Sequence, residues 1–353
     1  MTTPRPKLLF MGAGAIGAYI GGFLAHSGYD VTLIDIWPEQ VEAIRARGIA
    51  VAGPHDPFVA RPAVYHLHEA QGLGRDFDIA FITMKSYDTE WSTRFAVRFV
   101  KPEGYVVSAQ NCWNDPAIAA IVGPERAVAL VMSRISVAAW EPGKVERGAE
   151  KGASIGYNVF RAGEHDGRIT PRVEQLAEML SVIDASQPTD NIWGERWAKL
   201  CQNSMGNPVQ AMSNLGGREV LASPRGRAVT IQLAAESARV GLKLGYRVPK
   251  FGGVSAEKWA SADRGDIYEE LDALLTPASG GGRNWRASMA QDVVKGRRTE
   301  IDFMNGHVVA EGRRAGVPTP VSAAVLALMR QVDHRDARPD AGNIDLVLRR
   351  AGL

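Results

Sequence analysis

Near the N-terminus the apolar positions come as short, unbroken runs. Residues 7–11 form one and residues 30–35 another, the second ending on an acid. Runs this short, bounded by glycine or charge, read as strands buried on both faces, as in a parallel sheet. Between them residues 15–27 have the length of a helix, which stops at Gly28. The series continues over residues 78–83, 104–109 and 126–131, each bounded by polar, Gly or Pro positions. The intervals leave room for crossover helices. Thr170-Pro171 places a capping residue before a proline and predicts a helix to about Val182. Past Pro188 the pattern changes. From residue 191 onward helical spacing dominates, as in Ile301, Met304, Val308 and Val309, which share one side of a helix opened by Thr299 and ended by Gly316. The expected architecture is an α/β domain over residues 1–190 and an all-α domain over residues 191–353.

The length of 353 residues agrees with two domains. Hydrophobic residues make up 45% and charged residues 23%, which describes a folded globular chain rather than a disordered one. Lys and Arg number 41 against 39 Asp and Glu, a balance that predicts no nucleic-acid partner. Two cysteines, Cys112 and Cys201, cannot build a disulfide framework and point to a reducing, cytoplasmic compartment. No His stands in metal-ligand spacing with Cys. His66 and His68 share one face of a strand but lack a third ligand, so they read as a solvated pair, and no metal is expected.

Residues 8–25 are eighteen consecutive uncharged positions behind Arg5 and Lys7, long enough to resemble a signal peptide or a membrane span. Five of them are glycine, and a helix through Gly12 and Gly14 would be costly. Strand, turn and helix explain them better. Gly12-Ala13-Gly14-Ala15-Ile16-Gly17 has the GxGxxG spacing, with a strand before it, a helix after it, and Asp35 eighteen residues beyond Gly17. The first glycine permits the tight turn, the second lets backbone approach a pyrophosphate, and the third lets helix pack on strand. A dinucleotide is the expected ligand, and no membrane segment is expected. Asp35 can accept hydrogen bonds from ribose hydroxyls and would repel a 2′-phosphate, which favours NAD(H) over NADP(H).

In the second half Lys199, Asn203 and Asn207 recur at i, i+4 and i+8, drifting by about 40° per step and so sharing one helix face. Trp193, Trp197, Leu200 and Met205 surround them, and Pro208 would free a carbonyl and kink the helix there. The row is either an exposed polar stripe or a functional face. A lysine flanked by amides in a cleft is a sensible proton donor, because partial burial makes lysine a better acid. Gln110-Asn111 follows a strand at the edge where open α/β sheets bind ligands, as a loop cap or a ligand group. Ser288 and Glu300 flank another polar stretch, and Glu300 reads as either a helix N-terminal acid or a ligand-facing group. Residues 276–282, rich in Gly, read as a surface loop or a lid.

Together these pieces resemble the ketopantoate reductase family over nearly the whole chain. They are the Gly12 to Gly17 fingerprint, Lys85-Ser86-Tyr87-Asp88-Thr89, Gln110-Asn111, and Trp197-x-Lys199 through Asn203 to Asn207-Pro208. Ser288-Met289-x-Gln291-Asp292 then leads through Gly296-Arg297-x-Thr299-Glu300-Ile301-Asp302 to Asn305-Gly306 and Gly316-Val317-Pro318-Thr319-Pro320. The resemblance implies a Rossmann domain followed by an all-α C-terminal domain like that of the 6-phosphogluconate dehydrogenase superfamily. It implies NAD(P)H-dependent reduction of a 2-oxo acid to a 2-hydroxy acid, 2-dehydropantoate to pantoate in the family's named case, in a homodimer. By position, Lys199 matches the general acid and Glu300 the acid that holds the substrate hydroxyl and orients the lysine. Asn203, Asn207, Ser288 and Asn111 match substrate contacts. Gly12, Gly14, Ala15, Ile16, Gly17, Lys85 and again Asn111 match the cofactor side.

Departures count as well. Cys112 replaces the glycine usual after Gln-Asn and reads as a small packing residue. Asp35 stands where NADP(H)-using members, the family's norm, place a basic or neutral residue. Residues 246–286 look longer than the family's connection and bring Phe251, Trp259, Tyr268 and Trp285, read mainly as core. If some of these line a cleft, the alternative is an NAD-dependent dehydrogenase of a bulkier, aromatic hydroxy acid. A non-catalytic dinucleotide sensor is disfavoured because Lys199 and Glu300 are both present.

Overall fold

The computed structural model describes residues 5–278 and 284–353. The chain falls into two compact units, Met1–Ile192 and Trp193–Leu353. The first contains twelve strands and five helices among its described residues: β1 (Lys7–Met11), α1 (Ala15–His26), β2 (Asp30–Asp35), α2 (Pro38–Arg47), β3 (Ile49–Gly53), β4 (His55–Ala60) and β5 (Ala63–His66) come first. Then follow β6 (Phe77–Ile82), α3 (Thr89–Ala96), β7 (Val100–Ser108), α4 (Asp115–Val122), β8 (Ala127–Met132), β9 (Val137–Ala138), β10 (Lys144–Arg147), β11 (Phe160–Glu164), α5 (Pro171–Leu180) and β12 (Ser186–Pro188).

Eight strands form one sheet in the order β12-β11-β8-β7-β6-β1-β2-β5, parallel from β8 to β5. Strand order reverses at β1 and β6, so the crevice above their carboxyl ends is the switch point where such sheets bind ligands. Alternate residues of β1 feed two cores, Leu8 and Phe10 on one face and Leu9 and Met11 on the other. That explains the unbroken apolar runs.

A second sheet, β4-β3-β10-β9, has no counterpart in the sequence reading. Its strands are short, two of them carry charged residues, and β3 pairs in parallel with the distant β10. It gives α1 a second wall. A Cβ on Gly21 would meet Leu33 at 3.0 Å, and one on Gly22 would meet Val51 of the small sheet at 3.2 Å. The helix is buried from Gly17 to Leu24. A helix enclosed on all sides is apolar on all sides, which accounts for the uncharged stretch without a membrane. No described helix is long and apolar enough to cross one.

The second unit is helical: α6 (Ile192–Ser213), α7 (Gly217–Ala222), α8 (Pro224–Lys243), α9 (Ala256–Ala260), α10 (Gly265–Leu275), α11 (Ser288–Val294), α12 (Asn305–Ala315), α13 (Pro320–Asp333) and α14 (Asn343–Ala351). Trp197 of α6 is fully buried, and its indole donates to the Ser237 carbonyl of α8 at 2.9 Å. Gly241 makes room for that ring, since a Cβ there would stand 2.1 Å from the indole nitrogen. Of the aromatics between residues 246 and 286, Phe251 and Trp259 are core and stack at 5.7 Å, while Trp285 is 45% exposed. Ser279 to Gly282 of the glycine-rich loop lie outside the described residues.

Candidate functional site

In the first unit the loop between β1 and α1 is built by contrasts among its glycines. Gly12 has φ +111°, a conformation that favours glycine. A Cβ on Gly17 would fall 1.9 Å from the Gly12 carbonyl oxygen and 2.7 Å from the Thr83 hydroxyl, so this position packs helix onto loop. Beside Gly14 there is only open space within 4 Å. Ala15 and Ile16 open α1, whose first turn holds no acid of its own. This is a cradle for an anion carried close to backbone, and it fits a dinucleotide pyrophosphate.

Asp35, at the end of β2, is 6% exposed. One carboxylate oxygen accepts from the Ala13 N–H of the loop, and the other from the Trp37 N–H at 2.7 Å. It therefore braces the glycine loop. Gln40, fully buried, adds a second brace. Its amide donates to the Ala13 carbonyl at 2.6 Å and accepts from the Gly143 N–H at 2.8 Å. The sequence reading missed Gln40, because its partner comes from the turn before β10. Asp35 also borders a cavity of about 920 Å³ walled by Ile36, Pro38, Leu67, His68 and Phe99, a size that suits a small-molecule or cofactor fragment. His66 and His68 stack at 5.4 Å, and His66 bonds to Glu42 at 2.6 Å, so the pair is tied to α2 rather than simply solvated.

The loops after β6 and β7 are stitched to this cradle. Thr83 donates to the Gly12 carbonyl at 2.7 Å, Gln110 to the Met84 carbonyl at 2.8 Å, and Asn114 to both the Ser86 hydroxyl and the Asn111 carbonyl. The fold thus gathers Lys85 and Asn111, both half-buried, at the same sheet edge as the glycine loop. Gln110 itself is a buried loop cap. Cys112 is buried with φ +68°, which explains why glycine suits this position and agrees with a packing role. Cys201 is also buried, its thiol pushed up to about 12 by desolvation, so it is no nucleophile near neutrality.

In the second unit the row on α6 is not an exposed stripe. Lys199 and Asn207 are half-buried and Asn203 is 7% exposed. Gln210, eleven residues after Lys199, lies about 20° from it around the helix and extends the row. Asn207 donates to the Ser288 hydroxyl at 3.3 Å, while Gln210 accepts from the Ala287 N–H at 2.9 Å. Two members of one helix face therefore hold the start of α11. The signal for Gln210 was the same spacing, carried one turn further.

Glu300 does not open a long helix. A 3-10 turn, Ile301–Phe303, follows it, closed by the Phe303 and Met304 N–H groups on the Glu300 carbonyl, and α12 begins only at Asn305. Thr299 is not the cap of that helix. Its hydroxyl donates instead to Asp333 of α13 at 2.8 Å, and its N–H also points to that carboxylate. The polar connector keeps Glu300, 5% exposed, in a turn rather than a helix. Burial pushes the Asp333 carboxyl above its usual range, more than the Thr299 donors hold it down.

A dinucleotide cradle at a sheet switch point, with a helical unit carrying a half-buried lysine among amides, defines a nicotinamide-dependent oxidoreductase. The family follows from comparison. Residues 8–159 match the model of ketopantoate reductase PanE/ApbA and residues 191–333 that of its C-terminal domain, so the chain belongs to the ketopantoate reductase family. Its members are NAD(P)-dependent oxidoreductases acting on CH–OH groups, and this chain is one of them. It is 28% identical over 330 residues to a 2-dehydropantoate 2-reductase of Archaeoglobus fulgidus, covering 93% of this chain and 98% of the relative. The crystal structure of a PanE/ApbA family ketopantoate reductase from Ralstonia eutropha superposes with TM-score 0.74 at 25% identity, over 93% of this chain and 99% of that one. D-mandelate dehydrogenase, solved with NADH and anilino(oxo)acetate, shares the fold with TM-score 0.74 at 21% identity and the same coverage.

Proposed function

We propose that this protein reduces a 2-oxo acid to the 2-hydroxy acid, with 2-dehydropantoate as first candidate and with Lys199 as proton donor. The observation that carries the reading is the α6 row itself: a half-buried lysine in line with three amides, two of which hold the Ser288 segment. A reduced nicotinamide, when bound, supplies hydride to the carbonyl carbon. The Lys199 ammonium gives its proton to the carbonyl oxygen as negative charge develops there, and regains one from water. Asn203, Asn207 and Ser288 orient the acid and its hydroxyl, and Asn111 holds the nicotinamide side. Glu300 accepts from the substrate hydroxyl and orients Lys199. Preorganised donors in a site that sheds water stabilise such an alkoxide strongly.

In this reading residues 1–190 hold the cofactor through the glycine loop and Lys85, and residues 191–353 hold the substrate. Asp35 favours NAD(H) by accepting from ribose hydroxyls and repelling a 2′-phosphate, against the family's usual NADP(H). A cytoplasmic homodimer completes the reading, supported by the family resemblance and the cysteine usage. The mandelate dehydrogenase fold keeps a bulkier hydroxy acid as second reading, though Phe251 and Trp259, buried against each other, give it no support.

The test is the initial rate of NADH and NADPH oxidation, in parallel, with ketopantoate. Turnover faster with NADH is expected. Turnover faster with NADPH would overturn the Asp35 argument, and binding of both cofactors without oxidation would move the substrate to bulkier 2-oxo acids.

A further inference from the structure

Pro208 lies inside α6, so the Ser204 carbonyl, four residues earlier, lacks the i+4 N–H that would ordinarily donate to it. Ser204 is 1% exposed, and water cannot readily supply the missing donor. The side chain of Asn305 does: its Nδ2 donates to the Ser204 oxygen at 3.2 Å, across 101 residues of sequence, and Asn305 is itself fully buried. We propose that Asn305 is a positioning residue, whose amide replaces the hydrogen bond removed by Pro208 and so sets the bend of α6 against the segment carrying Glu300.

Two features make this more than a core contact. The missing bond would have closed the turn from Ser204 to Pro208, which begins just after Asn203 and contains Asn207, so the bend it leaves governs how these amides and Lys199 line up. Asn305 is also five residues past Glu300, across a single 3-10 turn closed on the Glu300 carbonyl by two bonds of 3.0 Å. On its other side Glu300 is flanked by Thr299, anchored to Asp333. The carboxylate segment is thus tied down at both ends, and one of the ties is to the helix that carries the lysine. The proposal rests on the assignment of Lys199 as donor, and reactions of this kind lose about 100-fold from a displacement of about 1 Å.

A double-mutant cycle tests it, using Asn305→Ala, Pro208→Ala and the pair, with the 2-oxo acid that the wild type turns over. The Pro208→Ala substitution restores an N–H for the Ser204 carbonyl and makes the Asn305 amide redundant. The expected result is a kcat loss of about 10- to 100-fold for Asn305→Ala, a displaced alkaline limb in its kcat–pH profile, and cofactor Kd unchanged. In the Pro208→Ala background the same substitution should cost about threefold or less. Equal losses in both backgrounds would overturn the proposal, as would an Asn305→Ala protein with lowered Tm but wild-type kcat and pH profile. If Asn305→Ala does not fold, Asn305→Asp, which ionised lacks the donor, takes its place in the same cycle. Lys199→Ala run in parallel separates the two claims: its retention of wild-type kcat would remove the donor assignment, whereas the cycle reads the Asn305–Pro208 coupling independently.

Discussion

The two units treat their buried carboxylates differently. In the first, Asp184 meets Arg147 at 2.6 Å, both side chains fully buried, and accepts three backbone N–H groups from Gly152, Ala153 and Ala185. Burial alone would raise its pKa, yet these donors hold it below the ordinary range. Glu164 is held down in the same way by Arg172 and Thr170. In the second unit Glu236 takes the place of an N-cap for α13, accepting from the Val321 and Ser322 N–H groups at 2.7 Å each. No short ion pair accompanies it among the described residues, and burial pushes its carboxyl up, as it does for Asp333. Of these four carboxylates, the two in the sheet unit have an arginine among their donors, whereas the two in the helical unit are held by backbone amides and a hydroxyl. A carboxylate with a depressed pKa loses its stabilising contribution in acid, while one with a raised pKa loses it as pH rises.

The largest effect that would sharpen this contrast is catalytic. Lys199→Ala should lower kcat by about 10²- to 10⁴-fold while cofactor Kd, measured by nicotinamide fluorescence, stays within a factor of two. Joint loss of both would deny the units their separate tasks. Arg147→Met comes next. Leaving Asp184 charged and buried should destabilise the first unit by about 3–5 kcal/mol, read as a lowered calorimetric transition. A transition unchanged within error would show that the backbone donors suffice for Asp184.

The pH dependence separates these two pairs of carboxylates by sign. Asp184 and Glu164 have depressed folded pKa values, so their stabilisation is present above the ordinary carboxylate range and is lost as pH falls through the folded value. Asp333 and Glu236 have raised ones, so their contribution is full below the unfolded pKa and is lost as pH rises through the folded value. Asp333→Asn should therefore flatten the decline of Tm that this carboxyl contributes as pH rises above the ordinary carboxylate range. A Tm–pH slope identical to wild type there would contradict the raised value. The smallest effect concerns cofactor choice. Asp35→Ser should weaken both cofactors through the lost Ala13 and Trp37 bonds, and NADH by roughly tenfold more than NADPH, about 1.4 kcal/mol. Equal weakening would leave Asp35 only a brace.

Legibility in the sequence followed the range of the interactions. The strand, glycine loop, helix and second strand up to Asp35 could be read because each signal lies within a few residues of the next. The row Lys199, Asn203, Asn207 was visible for the same reason, and Gln210 lay on that row unread. Pro208 announced a freed carbonyl but not what would satisfy it. The small sheet escaped because strands such as Lys144–Arg147 are short and polar, with partners some hundred residues away.

The sequence by itself therefore determined the glycine loop, the helical second half and the face bearing the lysine, since periodicity and spacing record contacts along one element. Tertiary structure alone decided that Asp35 braces the loop, that Gln40 reaches Gly143, that Asp333 holds Thr299, and that Asn305 completes α6. Such hydrogen bonds join a single side chain to one or two groups elsewhere in the chain, and a point contact of that kind leaves no periodic trace in the residues between.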